Sequence, residues 1–301
     1  MFERALVPLD GSRASEASLA AARLLSRAFG TTLILGHIVE ARPPRSVHGQ
    51  PHLAEAVSAA AYLAEVAQRL TAEGLSVTTH VHEGGEREVA ESLAAHAAEL
   101  GFDLVVMAAH GRRGALDYLS ASLPLKVAAA GCSAVYLARR AAATEAEARP
   151  EMILVPLDGR VEHEAALPQA EAIARALSLP IELLAVVPRF GSEAGGGAGA
   201  IARLSPALEG VSLEYAAKGA EDYLAALAAR VAATGLDVTW RVERGRPARR
   251  IKKVAETGRA LLVLSTHRRF GMDAALEGCV AFSAATSYPG DSLIVPVPGC
   301  R

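Results

Sequence analysis

Two carboxylates stand at the ends of two closely similar apolar runs. Asp10 follows Ala5-Leu6-Val7-Pro8-Leu9 and precedes Gly11-Ser12, and Asp158 follows Ile153-Leu154-Val155-Pro156-Leu157 and precedes Gly159-Arg160. An acid placed where a strand gives way to a helix can hold a metal that accompanies a phosphate, or it can cap the helix; the residue types leave both readings open. Further along, Met107-Ala108-Ala109-His110-Gly111-Arg112-Arg113-Gly114 leads into a helical pattern. A glycine-rich turn before a helix presents backbone N–H groups and partial positive charge, which suits a phosphate. Arg112 and Arg113 can add charge-assisted bonds there, or the segment is a solvated loop. His110 recurs as His267 in the second half, where it either touches a ligand or bonds the turn's own backbone.

Other constellations carry less. His80 and His82 share a strand face without an evident third ligand, so a solvated face outweighs a metal site. Cys132, Cys279 and Cys300 are odd in number and lack CxxC spacing, pointing to a reducing compartment and to Cys132 as a small core residue. Gly191 to Ala200 is glycine-rich but does not join a first strand to its helix, so it is read as a flexible loop rather than a dinucleotide fingerprint. No GxxxxGK[ST] run and no G-x-S-x-G elbow occurs. With no activated nucleophile or base evident, an enzyme is disfavoured. Arg246, Arg249, Arg250, Lys252 and Lys253 form a basic run, read as a solvated face with an acidic partner as the sharper alternative.

These residues need a scaffold, and the chain predicts it twice. Strands are expected at Arg4–Leu9, Thr31–Val39, Leu75–His82, Asp103–Ala108 and Ser133–Ala138. Between them lie helices from Ser12 or Ser15 to Phe29, from Leu53 to Glu73, from Glu86 to Leu100 and from Leu116 to Ala130. The second half repeats the alternation through Ile181–Val187, Leu236–Val242, Leu261–Ser265 and Ser292–Val297. Such alternation predicts α/β domains with parallel sheets. Five strands per half point to a flavodoxin-like, Rossmann-like order with a crevice between strands one and four. Pro8 and Pro156 count against central strands unless they sit at strand ends. The expected division is 1–140, a linker at 141–150 that is either a short helix or a tether, and 151–301. At 301 residues, 51% hydrophobic and a formal charge of −2, the chain gives no electrostatic case for nucleic acid or an anionic membrane. No apolar run spans a membrane. Met1-Phe2-Glu3-Arg4 leads straight into the first strand, so no signal peptide and a cytoplasmic protein are expected.

The Val7-Pro8-Leu9-Asp10-Gly11-Ser12 motif, its repeat at Val155 to Arg160, and the His110-Gly111 and His267-Arg268 turns resemble the universal stress protein family. The whole chain is similar to a tandem member, a fold of the adenine nucleotide alpha hydrolase-like kind. ATP-binding members carry Gly-x-x-Gly, nine residues, then Gly-Ser or Gly-Thr around the triphosphate. The resemblance places these positions at Ala108, Gly111, Ala121 and Ser122 in the first half, with Asp10 facing the nucleotide and Val39 beside the base. In the second half they fall on Ser265, Arg268, Gly278 and Cys279, with Asp158. Alanine replaces glycine at Ala108 and Ala121, where its Cβ obstructs a phosphate and is strained at positive φ. Arg268 and Cys279 take the second half further from the motif.

The resemblance implies a stress-response regulator with ATP and magnesium bound in the first half. It also implies an internal pseudo-dimer through the last strand of each half, an unidentified protein partner and scope for homodimerisation. The rival reading is a nucleotide-free interaction module with closed pockets, and slow ATP hydrolysis is the third.

Overall fold

A computed structural model describes the chain except for residues 40–45, 48–49, 52, 84–88, 109–122, 131–132, 140–143, 189–205, 267–279 and 298–301. The chain divides into two units. The first comprises Met1–Arg149, Thr266–Glu277 and Asp291–Arg301, and the second Pro150–Ser265 and Gly278–Gly290.

In the first unit, β1 (Arg4–Pro8) lies parallel to β2 (Thr32–Val39) on one side and β6 (Leu104–Ala108) on the other. β5 (Val77–Glu83) flanks β2, and β7 (Ala134–Ala138) flanks β6, both parallel. A two-residue pair, β3 (Ser46–Val47) and β4 (Gln50–Pro51), lies outside this sheet. Numbered by the five parallel strands, the order is 3-2-1-4-5, five of the six strands of the Rossmann order 3-2-1-4-5-6 rather than the flavodoxin order 2-1-3-4-5. The direction of winding still changes beside β1, so the crevice falls between strands one and four. Leu6, Val7, Leu33, Leu35, Val105 and Val106 are buried, as expected for strands covered on both faces.

Pro8 shows how a proline fits a central strand. Leu9 N–H donates to Gly36 O at 2.8 Å, toward β2. Backbone groups alternate sides along a strand, so the Pro8 nitrogen faces β6. The β1–β6 register has already ended at Leu6↔Val105, and no donor is needed there. The second unit repeats the device. Ile153 N–H donates to Pro180 O, toward β9 (Ile181–Val187), and the register between β8 (Met152–Leu157) and β11 (Ala260–Thr266) ends at Leu154↔Leu262, before Pro156.

The expected first helix is broken into α1 (Arg13–Glu16) and α2 (Leu19–Phe29). Ser15 Oγ donates to Ser12 O at 2.9 Å and Ser18 Oγ to Ser15 O at 2.7 Å. These local bonds compete with the helical ladder. Gly30 ends α2 in the left-handed region, as its sequence position predicts. α3 (Ala56–Ala72) follows β4, α4 (Val89–Glu99) precedes β6, and α5 (Leu123–Ala130) precedes β7. The linker contains a short helix, α6 (Glu145–Ala148), with Ala148 buried.

The second unit carries the parallel order β10-β9-β8-β11, with β9 at Ile181–Val187 and β10 at Val238–Arg244. Its helices are α7 (Leu167–Leu177) after a 3-10 turn at Val161–Ala166, α8 (Pro206–Ala232), α9 (Pro247–Thr257) and α10 (Val280–Ser287). The last strand, β12 (Ser292–Pro296), is expected to close the second half. It runs antiparallel to β7, the last strand of the first half. Leu293 and Ile294 are fully buried, and β7 presents an equally buried Val135-Tyr136-Leu137 that would otherwise be an apolar edge. Asp291 fixes the strand's entry: its carboxylate accepts from Tyr136 Oη at 3.1 Å and from Arg139 N–H at 2.8 Å.

Candidate functional site

The carboxyl edge of the first unit gathers three of the expected residues. The registers Pro8↔Gly36 and Leu6↔Val105 put Leu9 level with His37 and Ala108 on adjacent strands. Asp10 is one residue beyond that level and Val39 two beyond it. Neighbouring strands lie about 4.8 Å apart, so Asp10, Val39 and Ala108 line one short stretch of edge, astride the point where β1 and β6 separate. His110, Gly111, Ala121 and Ser122 fall outside the described residues, as do Arg112, Arg113, Arg268, Gly278, Cys279, His267 and Cys132.

The Asp10 turn is a network of short-range bonds. Asp10 Oδ1 accepts from Ser12 N–H at 2.9 Å, and Ser12 Oγ caps α1 by accepting from Ser15 N–H at 3.1 Å. Asp10 N–H donates to Ser15 Oγ at 3.3 Å. The cap is therefore Ser12 rather than Asp10, and Asp10 organises the turn before it. Gly11 between them has φ +84°, and a Cβ placed on it would meet Leu53 Cδ1 at 2.8 Å. Ala108 does not adopt a positive φ, so alanine at this position costs no backbone strain.

At the second unit's edge, the register Leu154↔Leu262 puts Ser265 level with Leu157, one residue before Asp158. Gly159 repeats Gly11 with φ +85°. The side chains differ. His163 and Arg160 stand where Ser15 and Ser12 do. Asp158 Oδ1 accepts from Arg160 N–H at 3.2 Å and lies 2.7 Å from His163 Nδ1, while Arg160 Nε is 3.6 Å from Oδ2.

Sequence reading missed a triad that occurs in both units. Glu16 accepts from Tyr62 Oη at 3.0 Å and from Arg69 Nη2 at 3.0 Å. Glu164 accepts from Tyr223 Oη at 3.0 Å and from Arg230 Nη2. Each triad ties the helix after the Asp-Gly turn to the helix after the second strand. Burial and then the neighbouring Glu16 raise the Tyr62 phenol above its ordinary range; burial and the bond to Glu164 do the same for Tyr223. The signal was available: Glu lies six residues after each Asp, and the Tyr and Arg keep one spacing in both copies.

Residues outside these turns are less suggestive. The His80 and His82 rings stack with centroids 6.5 Å apart, and no group of three His, Cys, Asp or Glu that could hold a metal occurs among the described residues. The basic helix α9 buries Ile251, Val254 and Ala255, and Arg250 and Lys252 lie 3.7 and 3.6 Å from Glu243 and Glu256. That is an amphipathic helix with a solvated charged face. Among the described residues, no helix is long and apolar enough to cross a membrane.

Each unit is thus a Rossmann-like α/β assembly with an acidic turn at the carboxyl edge beside its winding reversal. The sequence model of the Universal stress protein family matches residues 1–138 and again 151–296. The chain belongs to this family and carries two copies of its domain. A putative universal stress protein from Pseudomonas aeruginosa UCBPP-PA14 is similar in structure, with TM-score 0.66 and 19% identity, covering 98% of this chain and 93% of that one. One from Archaeoglobus fulgidus DSM 4304 is similar with TM-score 0.66 and 14% identity, over 99% and 97%. At these identities the likeness concerns the fold. A universal stress protein in complex with cAMP aligns with 45% of this chain and 95% of its own, at 22% identity and TM-score 0.35. No curated protein matches the sequence.

Proposed function

We propose that this chain is a stress-linked regulatory protein whose first half takes an adenine nucleotide, ATP with magnesium, at the crevice between β1 and β6, and whose binding to a protein partner responds to that occupancy. One observation carries the reading: Asp10, Val39 and Ala108 terminate three adjacent parallel strands where the sheet reverses its winding, the usual ligand position in open α/β sheets. Asp10 faces the nucleotide and Val39 the base, with phosphates held by the Gly111 turn and Ser122. The negative φ of Ala108 supports the fit, because only its Cβ and not its backbone departs from glycine.

A second reading applies to the second half. There the acceptor atoms of Asp158 are engaged by Arg160 and His163. This favours a nucleotide-free interaction module, and homodimerisation of the chain would be a property of that module.

Thermal unfolding with and without millimolar ATP and magnesium tests both. A ligand that binds only the folded state stabilises it by about 2.7 kcal/mol at a hundredfold excess over Kd. The melting temperature should rise, the rise should vanish in Asp10→Ala, and it should persist in Asp158→Ala. No rise in the wild-type chain would leave the nucleotide-free module. Phosphate release that depends on Asp10 would make the protein a slow hydrolase.

A further inference from the structure

The His37 ring is buried at 4% exposure between two backbone carbonyls. Its Nδ1 lies 2.7 Å from Leu9 O and its Nε2 3.0 Å from Leu53 O. Carbonyl oxygens only accept, and a neutral imidazole has one N–H, so it can serve one of the two. Only the doubly protonated ring donates to both. Leu9 immediately precedes Asp10, and the Leu53 side chain lies against Gly11. One ring therefore grips both the strand end that carries the acidic turn and the residue packed on that turn.

We infer that His37, as the imidazolium, is a positioning residue for the Asp10–Gly11 turn, holding Leu53 against Gly11 and releasing it as the second ring proton is lost. The nucleotide consequence rests on the reading above; the clamp itself does not. The titratable groups on the surrounding elements are Asp10 after β1, Glu55 at the start of α3, and Tyr62 with Glu16 where α3 meets α1. On β5 the partner of His37 is Val81, with His80 and His82 on the opposite face by strand alternation. The direction follows from the donor count: the clamp is closed at low pH and opens as pH rises.

The experiment uses the full chain with ¹⁵N-labelled histidine. Ring nitrogen shifts distinguish two N–H groups from one N–H and one lone pair, and His37→Gln identifies the resonance. While the turn is clamped the His37 ring should carry both protons. As the second leaves, exchange protection of the Ser12 and Ser15 amides, corrected for intrinsic rates, should fall about fivefold, the factor one ordinary hydrogen bond carries. In His37→Gln the corrected protection should stay flat with pH. ATP binding is read on the same samples. A ring that behaves as stated without ATP binding leaves the clamp standing and removes the nucleotide reading. A neutral ring while Ser12 and Ser15 stay protected, or protection that falls equally in His37→Gln, overturns the clamp whatever ATP does.

Discussion

Gly11 and Gly159 make an internal control that few proteins provide. Their φ angles are +84° and +85°, they follow the same aspartate, and each precedes a helix. They differ in what lies above them. A Cβ on Gly11 would meet Leu53 Cδ1 at 2.8 Å and Cγ at 2.9 Å, whereas one on Gly159 would meet nothing within 4 Å. Alanine at either site incurs the left-handed backbone penalty, about 1–2 kcal/mol. Gly11→Ala must in addition displace a leucine, and overpacking of that kind costs about 1–3 kcal/mol. Gly159→Ala should therefore destabilise its unit by about 1–2 kcal/mol and Gly11→Ala by about 2–5 kcal/mol. Denaturant midpoints at unchanged slope measure both. A double-mutant cycle isolates the contact: in a Leu53→Ala background the excess cost of Gly11→Ala should disappear, leaving a value close to that of Gly159→Ala. Equal costs in the wild-type background, or an excess that survives the loss of Leu53, would refute the packing of Leu53 on this turn and with it one arm of the His37 clamp.

The two triad tyrosines should titrate late. Both phenols are raised in the folded state, so the stability they contribute is complete below the ordinary phenol range near pH 10 and is lost as pH rises beyond it. Absorbance at 295 nm should show Tyr62 and Tyr223 ionising only with unfolding, identified by Tyr62→Phe and Tyr223→Phe; ionisation of either in the folded protein near pH 10 would contradict the geometry. Asp291, at 2% exposure, should be costly to truncate. Asp291→Ala removes the acceptor of both the Tyr136 hydroxyl and the Arg139 amide, about 1–3 kcal/mol in all for hydrogen bonds to a charged group. Faster hydrogen exchange at Leu293 to Val295, with the β1 amides unaffected, would be its signature.

The parts of this fold that were legible are those written in local sequence. The repeat, the strand–helix alternation, Gly30 as a helix stop and the aspartate at each strand end depend on neighbours only. Pro8 and Pro156 needed one further fact, that the ladder to the fourth strand stops early on the side each proline faces. The Glu16–Tyr62–Arg69 triad joins residues 46 and 53 positions apart, and no periodicity reports such a pairing. Comparing the two copies would have, because a structural bond is kept where a surface residue drifts. β12 was legible as a strand but not in its pairing. Ser292–Pro296 is apolar on both faces, so its pattern shows a strand and says nothing of its antiparallel pairing with β7, where Asp291 accepts from Tyr136. His37 was passed over as one polar residue in an apolar strand, since only the structure sets two carbonyls against its ring.

The two acidic turns show how a duplicated edge diverges without changing its backbone. In the first copy the positions two and five residues after the aspartate carry hydroxyls: Ser12 and Ser15 bond each other and the turn, and they bring no charge to it. In the second copy Arg160 and His163 occupy the same places. A carboxylate offers about four acceptor sites. At Asp158 the Arg160 amide and the His163 ring converge on Oδ1 while the guanidinium approaches Oδ2. Part of its acceptor capacity is then taken before a ribose hydroxyl or a hydrated cation arrives, and the groups that take it belong to the chain. The left-handed glycine survives in both because the helix that follows needs the turn, whatever the carboxylate beside it holds. Retention of the Asp-Gly pair is thus a constraint of folding, and the residues two and five positions after the aspartate are where a difference in ligand binding between the halves is decided.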